Sequence, residues 1–251
     1  MSVSGHGSDS AIPRTATDEK PVHIPDGYLG PPTYLAAYAA CAPLWAIAAR
    51  RVRDALSARR APLLAISAAF SFLVMMVNVP LPGGTTGHAV GGVLIAIAVG
   101  PWGAMLSVTI ALVIQALLFG DGGVTAIGAN CLNIAFVMPF AGYGAYRLVS
   151  ALFPSDRGKA IAAGIGGWVG LNSAALSTAV MFGIQPLLHA GPDGRALYAP
   201  YPLSVAVPAM LFPHMLVFGV AEGLITGLVV QYLQRSPSAW ILRGATSEGA
   251  R

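Results

Sequence analysis

Residues 87–119 read GHAVGGVLIAIAVGPWGAMLSVTIALVIQALLF, a long apolar run punctuated near its middle by Gly100-Pro101. As a single helix the run would be about 50 Å long at 1.5 Å per residue, well beyond the ~30 Å hydrocarbon layer of a bilayer. Proline inside a helix removes a backbone hydrogen bond and clashes with the preceding turn. The run is therefore expected to break into two segments, 87–99 and 101–119. The number of membrane crossings turns on that break.

Outward from it, further apolar stretches fall at about 33–49, 62–79, 125–149, 160–185 and 204–233. The 251-residue chain is 55% hydrophobic and 10% charged, with mean hydropathy +0.69. Soluble domains carry roughly 25% charged residues, so the reading is an all-α integral membrane protein with about seven transmembrane helices. Charge tests the count independently. Arg50, Arg51, Arg53, Arg59 and Arg60 follow the first span; Arg147, Arg157 and Lys159 surround a later loop; Arg235, Arg243 and Arg251 follow the last span. Basic loops stay in the cytoplasm, which requires an even number of crossings between the first two groups. Breaking 87–119 in two satisfies that requirement, with the N-terminus outside and the C-terminus cytoplasmic. Of the 14 lysines and arginines, only Arg14, Lys20 and Arg195 then lie outside. The net charge of +4 is thus a topology signal, and no nucleic-acid partner is expected.

Three regions follow: a polar extension over 1–21, a seven-helix domain over 22–233 and a cytoplasmic tail over 234–251. No G-x-x-x-x-G-K-[ST] sequence is present, so the chain carries no P-loop for ATP. Cys41 and Cys131 sit in apolar runs and read as small core residues.

The predicted orientation gathers polar side chains at the outer mouth. His23 precedes the first span, and Asn78 ends the second. Gly83-Gly84-Thr85-Thr86-Gly87-His88 leads into the third. Gln115, Asp121, Asn130 and Asn133 fall at the outer ends of the fourth and fifth. Amides inside a bilayer face a partner or a cavity. Two histidines with amides and few carboxylates favour a metal that prefers imidazole nitrogen over magnesium or calcium, which prefer oxygen. His189 reads as a solvated loop residue and His214 as a hydrogen-bonded packing residue of the last span. His6 lies in the polar tail. Glu222, an acid inside the last span, is expected to pair with Arg147 at the cytoplasmic level. No H-E-x-x-H metalloprotease pattern is present, so catalysis is not expected.

Five stretches carry a resemblance: HIPDGYL (23–29), NVPLPGGTTGHAVGG (78–92), GPWGAML (100–106), QALLFGDGGVTAIGANCLNIA (115–135) and EGLITG (222–227). They are similar to the CbiM/NikM family of substrate-specific membrane subunits of cobalt and nickel energy-coupling factor (ECF) transporters, over about 22–233. The resemblance implies capture of Ni²⁺ or Co²⁺ at the outer face of the bacterial inner membrane. ATP hydrolysis is then left to two partner ATP-binding subunits acting through a transmembrane coupling (T) subunit. A small accessory membrane subunit of the CbiN/NikN type is expected as a separate chain. The transported ion is the substrate and no cofactor is implied. The alternatives are a membrane enzyme or channel with a histidine-bound metal, and an ECF subunit for an organic micronutrient, which the outer cluster has few aromatic residues to stack.

The resemblance also implies a ligand set: a free chain-end amine, the amide and ring nitrogens of the following histidine, and a glycine-loop histidine. On this chain these fall on Val22, His23 and His88, with Asn78, Gln115, Asn130 and Asn133 as orienting residues. A planar set of nitrogens suits Ni²⁺ and accepts Co²⁺. Twenty-one residues precede Val22, where the family pattern has none. The expectation is therefore a translation start at Val22, read as methionine from a GTG codon, or processing before it. The Pro25-Asp26 pair leans toward the nickel-type members.

Overall fold

The computed structural model describes residues 23–55, 60–80 and 86–242. Helix α1 spans Pro31–Ala55 and α2 spans Arg60–Met75. A two-residue ladder follows, β1 (Val79–Pro80) against β2 (Thr86–Gly87), antiparallel with Val79 opposite Gly87. Next come α3 (Gly92–Val99) and α4, which runs from Pro101–Ile114 into a π turn at Gln115–Phe119. Helix α5 is continuous over 127–152 as Ile127–Asn130, a π segment Cys131–Val137 and Met138–Leu152. Helix α6 covers Asp156–Gly183 and, past Ile184, Gln185–Leu188. Helix α7 joins Leu203–Pro213, a π turn His214–Phe218 and Gly219–Arg235. Four of these, Pro31–Asp54, Pro101–Phe119, Asp156–Leu188 and Leu203–Arg235, are long and apolar enough to cross a membrane.

The break at Gly100 is a reversal of direction. Gly100 has φ 84°, a conformation that costs glycine nothing, and Pro101 occupies the first helical position, where a missing N–H is harmless. Contacts with α2 set the levels. Ser107 Oγ donates to Leu64 O (3.1 Å) near the start of α2, whereas Ser71 Oγ donates to Val90 O (3.0 Å) and Phe72 packs on Phe119 (ring centroids 5.2 Å) near its end. Both ends of 87–119 thus lie at one level, with Gly100 at the other.

Two boundaries differ from expectation. Helix α2 stops at Met75, and the chain then turns into the β ladder instead of remaining helical to residue 79. Helix α3 begins at Gly92, so its eight residues rise only about 12 Å. Residues 88–91 belong to neither helix nor strand, and Gly91 is left-handed at φ 73°. The physical reason lies in α7, whose Glu222 engages the amides of Val90 and Gly91.

The α5–α6–α7 unit packs backbone to backbone through glycines. A Cβ built on Gly170 would lie 2.7 Å from Met138 O, and one on Gly167 3.0 Å from Glu222 O. Small residues serve where lipid supplies no hydrophobic drive between helices. Large apolar residues such as Leu73, Leu148, Leu216 and Tyr232 stay exposed on the perimeter, as a lipid-facing surface requires.

Candidate metal site

The segment after His23 is hooked onto the loop between α4 and α5. Asn130 grips Ile24 from both sides: Ile24 N donates to Asn130 Oδ1 (3.0 Å), and Asn130 Nδ2 donates to Ile24 O (3.2 Å). Gly123 N adds a bond to Ile24 O (2.9 Å). Asp26 accepts from the amides of Val124 (3.2 Å) and Thr125 (2.8 Å) and from the Thr125 hydroxyl. Gly123 must be glycine here, since a Cβ would lie 2.3 Å from Asp26 N. These bonds bury His23, 4% exposed, and aim it inward.

The Asp26 grip has a defined pH response. The Thr125 hydroxyl, opposed by desolvation and aided by the Thr125 and Val124 amides, holds the Asp26 carboxyl below its usual range. A depressed folded-state pKa contributes stability fully above the unfolded value of ~3.9 and loses it as pH falls through the lower folded value. Protection of the Thr125 amide against hydrogen exchange is therefore expected to stay constant from neutral pH to about pH 4 and to drop below it. Asp26→Ala should remove the protection at every pH. A protection factor that already declines near pH 6 would contradict this assignment.

His88 arrives on the segment between β2 and α3. One face of α7, at four-residue spacing, holds that segment. Phe218 covers Gly87 so closely that a Cβ there would meet its ring at 2.2 Å. Glu222, 1% exposed, accepts from Val90 N at 2.8 Å and from Gly91 N at 3.0 and 3.1 Å. The expected Glu222–Arg147 ion pair is corrected: Arg147 is exposed, and the carboxylate instead satisfies two backbone amides two and three residues after His88. A buried carboxylate meets its hydrogen-bonding need with N–H groups as well as with a cation.

The two histidines meet. Their ring centroids lie 5.1 Å apart at an interplanar angle of 67°. His88 Nδ1 contacts Ala89 O at 2.9 Å, which places the proton on Nδ1 and leaves Nε2 with its lone pair. His23 Nδ1 is 3.5 Å from Asp121 Oδ1, and neither ring nitrogen of His23 has a hydrogen-bond partner among the described residues. Both rings line a cavity of about 70 Å³, with Asn130, Ile134, Ala174 and His214 among its other walls. Buried, unsatisfied imidazole nitrogens beside a carboxylate form an environment that a cation relieves.

The orienting residues separate. Asn130 lines the cavity and holds Ile24. Asn133 faces α6, accepting from Ser177 Oγ (2.6 Å) and donating to Met181 Sδ (3.3 Å). Gln115 is fully buried and Asn78 half-buried, and neither lines the cavity. Gln115 and Asn133 stand on the π segments of α4 and α5, and Asn133 spends its amide on α6. Val22 lies outside the described residues, as do 1–21 and Gly83-Gly84. His189 is packed and not simply solvated: a Cβ on Gly30 would strike its ring at 2.4 Å, and Tyr198 meets it edge-on. Sequence reasoning missed the Asp26 hook, the Asp121 contact and the α7 face; the spacing of His214, Phe218 and Glu222 was the available signal. Replacing Asn130 with Leu should weaken Ni²⁺ binding about tenfold to a hundredfold, the equivalent of losing ~1–3 kcal/mol of hydrogen bonding at Ile24. Calorimetry showing affinity within twofold of wild type would refute that role.

The class that the fold and the site define is an apolar helical bundle with buried imidazoles on a small cavity. The chain belongs to the CbiM family, described as the cobalt uptake substrate-specific transmembrane region, which matches residues 23–240. It is 49% identical over 216 residues to the fused nickel transport protein NikMN of Rhodobacter capsulatus, covering 86% of this chain and 62% of that protein. It is 33% identical over 236 residues to the cobalt transport protein CbiM of Geobacter sulfurreducens, covering 91% of this chain and 64% of that protein. The chain thus spans under two thirds of the length of either relative. The crystal structure of a truncated transition metal transporter matches with TM-score 0.81 and 52% identity, covering 84% of this chain and 97% of that one.

Proposed function

We propose that the chain captures Ni²⁺ or Co²⁺ at the outer mouth and delivers it inward as the substrate-specific subunit of an ECF-type ABC transporter. The observation that carries this reading is the buried His23–His88 pair, with its centroids 5.1 Å apart and His23 nitrogens unsatisfied. The donors are the His23 ring and backbone nitrogens, His88 Nε2 and a liberated amine at Val22. Four nitrogens in a plane favour Ni²⁺, and losing the amide proton makes binding strengthen as pH rises.

Seven crossings, with the N-terminus outside and the C-terminus cytoplasmic, fit the basic loops and the reversal at Gly100. The domain is then residues 22–233, in the bacterial inner membrane. Its partners are a transmembrane coupling subunit, two ATP-binding subunits and an accessory subunit of the NikN type; the fused NikMN relative supports the last.

The test is uptake of radioactive Ni²⁺ and Co²⁺ by cells expressing the chain with and without ATP-binding subunits, combined with N-terminal sequencing of the purified protein. Accumulation that requires the ATP-binding subunits, by a chain beginning at residue 22, is expected. Tight Ni²⁺ binding by protein that retains residues 1–21 would sink the amine-chelate model. Catalytic turnover by the isolated chain would favour a membrane enzyme.

A further inference from the structure

Which ring nitrogen of His23 meets the ion follows from connectivity. A histidine that offers its backbone nitrogen and its ring to one ion does so through Nδ1, because Nε2 points away from the residue's own backbone. Nδ1 has no hydrogen-bond partner among the described residues, and Asp121 Oδ1 stands 3.5 Å from it. The two side chains differ in their access to water: that of His23 is 1% exposed and that of Asp121 16%. The donor atom is dry, and the carboxylate beside it is wet.

The backbone fixes Asp121 in that place. It sits on the loop from α4 to α5 between two left-handed glycines, Gly120 at φ 68° and Gly122 at φ 92°. Its amide donates to Gln115 O in the π turn of α4 (3.1 Å). A Cβ on Gly122 would lie 3.0 Å from His23 Cβ, so the loop is pressed directly onto the histidine. The neighbouring acids are spent on backbone amides, Asp26 on Val124 and Thr125, Glu222 on Val90 and Gly91. The charge of Asp121 reaches past His23 to His88.

We propose that Asp121 is the entry residue of the metal site: its carboxylate takes the hydrated divalent ion from water and passes it to His23 Nδ1. The proposal rests on the metal-capture reading above. The hand-off runs inward because the ion leaves an oxygen donor for a set of nitrogens, which Ni²⁺ and Co²⁺ prefer. A charge at the rim of a site acts on the rate of arrival and its salt dependence, whereas the buried donors set the rate of escape.

The test is stopped-flow mixing of Ni²⁺ alone with the full chain as purified from cells. Association with the wild type should slow as salt rises. Asp121→Asn, which keeps the shape and removes the charge, is expected to slow association at low salt about tenfold and to flatten that salt dependence. Its dissociation rate should stay within twofold of wild type, with the visible absorption of bound Ni²⁺ unchanged. Asp121→Glu should recover most of the association rate. Asp193, an exposed acid, belongs to the neighbouring loop that joins Tyr28 O through Ala199 N (3.0 Å), and Asp193→Asn should leave the rates as they are. If Asp121→Asn does not fold, Asp121→Ser carries the same comparison. Unchanged association in the Asp121 variant overturns the proposal, and so does equal slowing in Asp193→Asn, which marks a general surface charge. Faster dissociation or an altered spectrum at an unchanged association rate also overturns it, making Asp121 a ligand or an orienting group. A wild type that binds no Ni²⁺ refutes metal capture itself, and the entry role with it.

Discussion

Replacing His88 with alanine is expected to abolish high-affinity Ni²⁺ binding while the helical bundle remains folded. His88 is one of three imidazoles on the cavity, and its Nε2 is left free by the Nδ1–Ala89 contact. Removing a direct nitrogen donor should cost more than the ~10–100-fold that accompanies loss of an outer-sphere partner. The fold should tolerate the change, because His88 sits on a segment that Phe218 and Glu222 hold through Gly87, Val90 and Gly91. The truncation enlarges an existing cavity and takes a donor from one half-buried carbonyl, that of Ala89. Titration calorimetry and a melting curve on the same purified variant check both halves. Stoichiometric Ni²⁺ binding at wild-type affinity would remove His88 from the ligand set.

Truncating Glu222 to alanine should be the most damaging change away from the imidazoles. The carboxylate is buried and accepts from two consecutive amides. Each amide left unpaired away from water costs about 1–3 kcal/mol, so the pair is worth ~2–6 kcal/mol. The loss also frees the turn that aims His88, since α3 begins immediately after those amides. Glu222→Ala is therefore expected to lower the melting temperature and to weaken Ni²⁺ binding at least a hundredfold. Glu222→Gln keeps one acceptor oxygen and should recover much of the stability but less of the affinity, because one amide remains unmatched. That split between stability and affinity separates positioning from bulk stabilisation. Wild-type affinity in folded Glu222→Ala would show that the clamp does not position His88.

The legible features were those carried by local chemistry. Gly100-Pro101 marked a break because proline and glycine constrain the backbone wherever they stand, and the reversal lies there. His23 and His88 were legible as candidate donors because imidazole is rare in an apolar chain, and the structure brings the two rings within 5.1 Å. Asn130 was legible as a costly amide in lipid, and it holds Ile24. A periodicity argument does not foresee the π segments that carry Gln115 and Asn133, or the bonds of Asn133 to Ser177 and Met181. Sequence reasoning also paired Glu222 with Arg147 by level alone. Charge complementarity was the visible cue, whereas the backbone amides of Val90 and Gly91, left outside helix bonding, leave no trace in the residue alphabet.

By itself the amino-acid order marked helices apolar enough for a membrane, an asymmetry of basic loops, the place where the longest apolar run bends, and the side chains that hold nitrogen lone pairs. Those properties follow from transfer free energies and backbone sterics, which act residue by residue. Only the tertiary structure decided which donors share a cavity and what aims them. The α7 carboxylate lies 132 positions from the Val90 amide it satisfies, and Asn130 lies 106 positions from Ile24. Buried polar groups must find partners wherever packing brings them, and packing is a property of the whole bundle.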